Sequence, residues 1–279
     1  MIYVRRDPGL IPEKVLKVAE RAQMELEALE PLERKEFIEK KAHVWRAFSR
    51  HLAKMSYGKC WYSESNDPQS FFAVDHFRPK KQARRNDKDK DEGYPWLAFS
   101  WENFCYTAGR SNSVNKDEFT DESVGKGSWF PLLDGSKVAS WEDRCVADEM
   151  PVLLDPTKPV DVDLVEINPE DGRAVPSAVC VGAIKNLRVS RTIELYGLNL
   201  GNLITARKRV MREVEDSYLN LLELIEGNND LAAIDRLQEQ LKRATRSDAV
   251  YARAARAKLL SMPIGAHLCA KPEDRPHVI

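Results

Sequence analysis

The sequence predicts an α+β fold, with short extended segments in its middle embedded between N-terminal and C-terminal helical regions. Two observations lead there. Apolar residues recur at three- and four-residue steps from Pro12 to Met55 and again from Ser190 to Leu260, whereas residues 58–106 break into short aromatic runs separated by turn residues. A chain of 279 residues, 43% of them hydrophobic, can bury a real core. The charged fraction is 31% but balanced, with a net charge of −1 and a pI near 6.6. Any nucleic-acid surface must therefore be local rather than global.

The first region is rich in Glu, Lys, Leu and Ala and is interrupted by Pro31; Phe37, Val44, Trp45, Phe48, Leu52 and Met55 form an apolar stripe. That spacing predicts two helices packed on a core. Gly58 ends the unit. Lys59 to Ser63 is short and aromatic and turns through Asn66-Asp67-Pro68 into Phe71-Phe72-Ala73-Val74, which predicts a hairpin bearing Asp75 and His76 at the end of its second strand. Residues 78–92 mix Arg78, Lys80, Lys81, Arg84, Arg85, Lys88 and Lys90 with Asp87, Asp89, Asp91 and Glu92, the composition of a solvated loop. Tyr94 to Phe99 and Trp101 to Tyr106 are again aromatic, and the polar residues from Asn112 to Glu122 suit one short helix.

Beyond residue 122, Trp129-Phe130-Pro131-Leu132 and Val152-Leu153-Leu154-Asp155-Pro156 alternate apolar runs with turn residues, which predicts irregular or extended segments laid over the core. Helical character returns with Ile204, Val210, Val214, Leu221 and Leu224. It breaks at Gly227-Asn228-Asn229 and resumes, with Ser247 or Asp248 as a cap for the last helix and an irregular tail after Pro263. The expected organisation is a helical region over 1–57, a central unit over 58–122, an extended segment over 123–200 and a second helical region over 201–279.

Five widely spaced cysteines and a start without an apolar signal core fit a reduced, cytoplasmic protein. No apolar run approaches the roughly 18 to 20 residues of a membrane helix, so no membrane partner is expected.

The chemistry concentrates between residues 75 and 116. Asp75 and His76 are adjacent in Phe-Ala-Val-Asp-His-Phe-Arg-Pro, Asn103 follows in Trp-Glu-Asn, and Asn112 lies in Ser-Asn-Ser-Val-Asn-Lys. A carboxylate beside an imidazole, with side-chain amides arriving later in one compact segment, can hold a hard divalent cation and activate a water against a phosphodiester. An isolated Asp-His pair is more often a hydrogen-bonded surface pair, and a lone Asn is a turn or cap residue; the ordered set is what carries meaning. His43, His51, His267 and His277 have no ligand spacing.

These residues resemble the HNH endonucleases, whose ββα-metal unit carries Asp-His at a strand end, a middle Asn and a later Asn or His on a short helix. Gly-Lys-Cys-Trp-Tyr-Ser, Val-Asp-His-Phe-Arg-Pro-Lys, Tyr-Pro-Trp-Leu-Ala-Phe-Ser-Trp-Glu-Asn, Trp-Phe-Pro-Leu and Leu-Leu-Asp-Pro are similar, more narrowly, to the retron- and Septu-associated HNH proteins of bacterial antiviral defence. The resemblance implies an HNH core over 58–122 and a nuclease cutting nucleic acid, with DNA the expected substrate and Mg²⁺ or Mn²⁺ the cofactor. It assigns Asp75 and Asn112 as metal ligands, His76 as general base and Asn103 as the brace of the loop that holds the His. Lys116 lies one place later than the usual basic residue, with Asn115 in the usual place. Arg78, Lys80, Lys81, Arg84 and Arg85 are the expected phosphate contacts.

Many relatives frame this unit with two Cys-x-x-Cys knuckles around a structural zinc. The matching places here are Cys60-x-x-Ser63 and Ala108-x-x-Ser111. One thiolate cannot close a tetrahedral site, so no structural zinc is expected, and Trp61, Tyr62, Trp96, Phe99 and Trp101 should support the unit instead. By the same analogy the terminal helices would dock an ATPase partner or form a homodimer. The rival expectation is a catalytically degenerate HNH-fold subunit that binds nucleic acid or acts as a scaffold in a defence complex.

Overall fold

Pro12, without an amide hydrogen to give to a preceding turn, opens helix α1 (Glu13–Glu27), whose Val15, Ala19, Ala22 and Leu26 are buried along one face. A computed structural model describes residues 1–116, 123–227 and 230–271 of the chain. Pro31 takes the first position of α2 (Pro31–Lys40), where a missing N–H breaks no bond. Lys41 departs from helical geometry, and α3 (Ala42–Arg46) and α4 (Ser49–Met55) follow as short pieces. The apolar stripe expected on two helices is thus carried across further backbone breaks, yet Val44, Trp45, Phe48, Leu52 and Met55 all reach the core.

The central pairing differs from the expected hairpin. Strand β1 (Phe72–His76) does not pair with residues 59–63; it pairs antiparallel with a strand about thirty residues later. The elements between are β2 (Ala83–Arg84) and β3 (Lys90–Asp91), and the partner is β4 (Phe104–Ala108), in a register that sets Phe72 opposite Ala108 and His76 opposite Phe104. Residues 60–63 form a turn, entered and left through positive φ at Tyr57 and Glu64. Trp61 and Tyr62 are both fully buried, whereas neighbours on a half-buried strand would point to opposite faces. The turn is tied to β4 by Trp61 N donating to the Tyr106 carbonyl at 2.9 Å.

Residues 78–92 are not a solvated loop either. β2 and β3 pair as a small hairpin, and their opposite charges meet, Arg85 with Asp91 at 2.7 Å and Arg84 with Asp87 at 3.0 Å. The aromatic runs around residue 100 form 3-10 turns at Pro95–Leu97 and Trp101–Asn103 before β4 begins.

Helix α5 (Gly109–Asn112) follows β4 directly and ends where the expected helix was to start. β5 (Asn115–Lys116) then pairs with β6 (Ser123–Val124), and residues 117–122 of that expected helix lie outside the described residues. The segment expected to be irregular contains α6 (Pro159–Val162), the hairpin of β7 (Val165–Ile167) with β8 (Ala174–Pro176), and α7 (Ala183–Leu195). Strands of three residues are too short for an alternating pattern to stand out.

The C-terminal elements are α8 (Gly201–Glu226), α9 (Leu231–Thr245), α10 (Ala252–Leu260) and the single turn α11 (Gly265–Leu268). Asp230 caps α9 by accepting from Ala233 N at 3.1 Å. The expected cap by Ser247 or Asp248 does not form: α10 starts at Ala252, behind Tyr251 in left-handed geometry, and Asp248 is engaged by Arg246 at 2.8 Å. Of the expected irregular tail, residues 265–268 are helical and 272–279 lie outside the described residues.

One apolar cluster runs from Met1 to Ala257 and contains Phe48, Trp61, Tyr62, Phe104, Phe130, Leu153 and Tyr196. A smaller one joins α8, α9 and α10 through Val214, Tyr218, Leu221, Leu241 and Leu259. The β1–β4 pair is thereby held against α3 and α4, with Phe48 edge-on to Phe104 at 5.3 Å, and α5 packs on the strand pair. Among the described residues no helix is long and apolar enough to cross a membrane.

Candidate functional site

Asp75 and His76 end β1, and α5 follows the strand paired with it; this brings Asp75, His76 and Asn112 to the lining of one cleft of about 370 Å³. Helix α2 supplies Lys35 and Glu39 to the same cleft, and the turn after β1 supplies Lys80 and Lys81. Three lysines thus face two carboxylates, a balance that favours an anion such as phosphate.

His76 is held in one tautomer by its partners. Its Nε2 lies 2.9 Å from the Ala98 carbonyl oxygen, which only accepts, so Nε2 carries the hydrogen. The lone pair is then on Nδ1, which accepts from Lys80 Nζ at 3.3 Å. The ring is 3% exposed and sits edge-on to Trp45 at 5.3 Å and to Phe104 at 4.9 Å. Burial among these rings, reinforced by the Lys80 charge, pushes the imidazole well below its ordinary range and keeps it neutral near pH 7. Lys80 itself lies 4.6 Å over the Trp45 ring, and burial holds its ammonium down to about 8.

Asn103 does not enter the cleft lining. Its Oδ1 accepts from Arg78 N at 2.8 Å, its Nδ2 donates to the Arg78 carbonyl at 2.9 Å, and its own carbonyl accepts from Phe77 N at 2.8 Å. These bonds clamp the backbone that leaves β1 immediately after His76, a bracing position.

The expected phosphate contacts divide. Lys80 and Lys81 line the cleft, Lys81 paired with Glu39. Arg78 turns away to buried Glu149 at 2.9 Å, Arg84 lies 4.0 Å over the Trp129 ring, and Arg85 bonds the Phe130 carbonyl and the Tyr94 hydroxyl. Lys116 is exposed on β5, and it too is outside the cleft lining.

Sequence reasoning missed Lys126. It is fully buried, and its ammonium donates to Asp75 Oδ1 at 2.9 Å and Oδ2 at 3.1 Å and also to the His76 carbonyl. A lysine in a loop reads as solvated; the one available signal is its place between Gly125 and Gly127. Lys126 also bears on the fit of a divalent cation. Asp75 and Asn112 offer the oxygen donors a hard cation takes, and the ammonium on both Asp75 oxygens is a stand-in cation, so the carboxylate is set up to meet positive charge.

Among the described residues, no group of three or more His, Cys, Asp and Glu side chains could hold a metal. At the places of the zinc knuckles, Cys60 Sγ accepts from Ser63 N at 3.5 Å, while Ser63, Ala108 and Ser111 line a second pocket of about 570 Å³. Trp61, Tyr62, Trp96 and Phe99 are buried in the main apolar cluster and Trp101 packs against it.

The histidines make stability depend on pH. Burial lowers both His76 and His51 below the ordinary imidazole value of 6.5. The unfolded chain therefore binds protons that the folded chain does not; this stability is present above about pH 6.5 and is lost as pH falls below it. We expect the melting temperature to drop between about pH 7 and pH 5 and the drop to be smaller in His76→Gln. A profile identical in wild type and variant would contradict the buried neutral imidazole.

No family model matches the chain. It is 26% identical over 191 residues to Septu protein PtuB of Bacillus mycoides, an alignment that covers 67% of this chain and 58% of that protein. The match therefore spans less than two thirds of the relative's length.

Proposed function

We propose that the chain is a metal-dependent HNH-type endonuclease that hydrolyses phosphodiester bonds, with DNA as substrate, and that it serves antiviral defence. The observation that carries this reading is the meeting in one cleft of Asp75, His76 and Asn112, with the His76 tautomer set so that Nδ1 is the basic atom. The likeness to a Septu protein supports the defence role.

In this reading Lys80 leaves His76 Nδ1 for the substrate phosphate, Nδ1 then takes the proton of the attacking water, and the Ala98 carbonyl keeps the ring oriented and steadies the positive charge it gains. Asn103 keeps the strand end and the following turn in place while the imidazole works. Lys35, Lys80 and Lys81 attract the phosphate backbone to the cleft. Asp75 and Asn112 would hold Mg²⁺ or Mn²⁺, which when bound supplies polarisation of the scissile phosphate and stabilisation of the leaving oxygen.

The test is plasmid cleavage by the wild-type chain with Mg²⁺ or Mn²⁺ and then with excess EDTA. Cleavage that needs the metal and stops with EDTA is the expected result; cleavage indifferent to EDTA would rule the reading out. A second reading, an HNH-like frame that binds nucleic acid without cutting it, is favoured by one observation, the capture of both Asp75 oxygens by Lys126. It predicts a salt-sensitive complex and no metal-dependent product. The partner we propose, an ATPase or a second copy docked on the terminal helices, should co-purify with the chain from its native operon; a monomer recovered alone would remove it.

A further inference from the structure

The segment bearing Lys126 is fixed at several points. Lys126 N donates to the Ser111 carbonyl at 3.0 Å and Gly127 N to the Asn112 carbonyl at 2.7 Å, so the segment lies along α5; Gly125 N is bonded to the Leu195 carbonyl at 3.1 Å. A Cβ on Gly125 would stand 1.9 Å from the Ser113 carbonyl oxygen, and Gly125 and Gly127 adopt φ of +109° and +51°. Only glycine fits the first position, and both positions need the φ that glycine tolerates best. The lysine between them is built into the site rather than resting there.

A buried carboxylate left without a counter-charge is strongly destabilising, so Asp75 needs a cation in the metal-free protein. It does not accommodate two at once: an ammonium and a divalent ion on the same two oxygens would repel across a few ångströms of low-dielectric surroundings. We propose that Lys126 is a positioning residue and resident counter-cation, which holds Asp75 in the metal-free chain and competes with the divalent ion for that carboxylate. Metal uptake then requires Lys126 to give up at least one Asp75 oxygen. A phosphodiester offers the displaced ammonium a new anionic partner, so metal and nucleic acid assist each other's binding, a coupling that must be reciprocal. The inference rests on reading Asp75 as a metal ligand.

The experiment measures Mn²⁺ binding to the full chain without nucleic acid, by calorimetry and by the resonance signal of free Mn²⁺. The proteins are wild type, Lys126→Met, Asp75→Asn and the double variant, and melting temperatures are recorded in EDTA and in saturating Mn²⁺. Lys126→Met should bind Mn²⁺ about tenfold more tightly than wild type. It should melt lower in EDTA and recover with Mn²⁺, whereas the double variant should show neither the binding nor the recovery. If Lys126→Met does not fold in EDTA, Lys126→Gln keeps an N–H donor without the charge and carries the same comparison. A merely structural lysine would lower the melting temperature without changing Mn²⁺ affinity. Equal affinities in wild type and lysine variant, both lost with Asp75→Asn, would overturn the competition and leave Asp75 as a ligand. No Mn²⁺ binding by any of the proteins would instead remove the metal site itself.

Discussion

Replacing His76 by alanine should lower the cleavage rate by about 10²- to 10⁴-fold, the usual loss when a positioned general base is removed. The size follows from the geometry around the ring. Nε2 is committed to the Ala98 carbonyl, so Nδ1 is the sole atom of this side chain able to take a proton. Burial between Trp45 and Phe104 keeps that atom unprotonated near neutral pH. Lys80, whose ammonium meets Nδ1, cannot replace it as the base while it is charged. Lys35 and Lys81 are untouched and Lys80 loses only its bond to Nδ1, so kcat should fall far more than KM changes. Full activity of the variant would assign proton transfer to another group.

The second large effect concerns stability. Glu149 is buried and accepts from Arg78 Nε at 2.9 Å, from the Tyr94 hydroxyl at 2.7 Å and from Ala139 N at 3.1 Å. The Arg78 guanidinium lies 5.4 Å over Phe130 and 5.7 Å over Tyr94, with little water to turn to. Glu149→Ala strands that charge and should cost about 3 to 5 kcal/mol in urea denaturation, whereas replacing the pair by Met at 78 and Leu at 149 should return much of it. A loss below about 1 kcal/mol for Glu149→Ala would place Arg78 in a surface pair rather than a buried one, and so nearer the phosphate role expected of it.

How far the sequence reveals this molecule varies with the range of the interactions. The terminal helices are legible because their apolar spacing is local and repeats over many residues, as in Val214, Tyr218 and Leu221. The pairing of β1 with β4 is not, because the turn at Asn66-Asp67-Pro68 is a strong local hairpin signal and the true partner lies beyond the β2–β3 hairpin. Arg84, Arg85 and Arg78 look like a solvated basic run, since nothing near them in the chain announces Phe130 or Glu149. Asp75, His76, Asn103 and Asn112 stand out by type and order, and the cleft gathers three of them while Asn103 takes a bracing place behind His76. Lys126 escaped because its meaning depends on burial, which a single lysine between glycines does not disclose.

The most direct measurement sets wild type, Asp75→Ala and His76→Ala, prepared identically, against the same plasmid with Mg²⁺ or Mn²⁺. The site described here predicts metal-dependent cutting by the wild type and at least a hundredfold less, about the lower bound for losing a general base, by each variant. Equal cutting by all three proteins would contradict it and trace the activity to something other than Asp75 and His76.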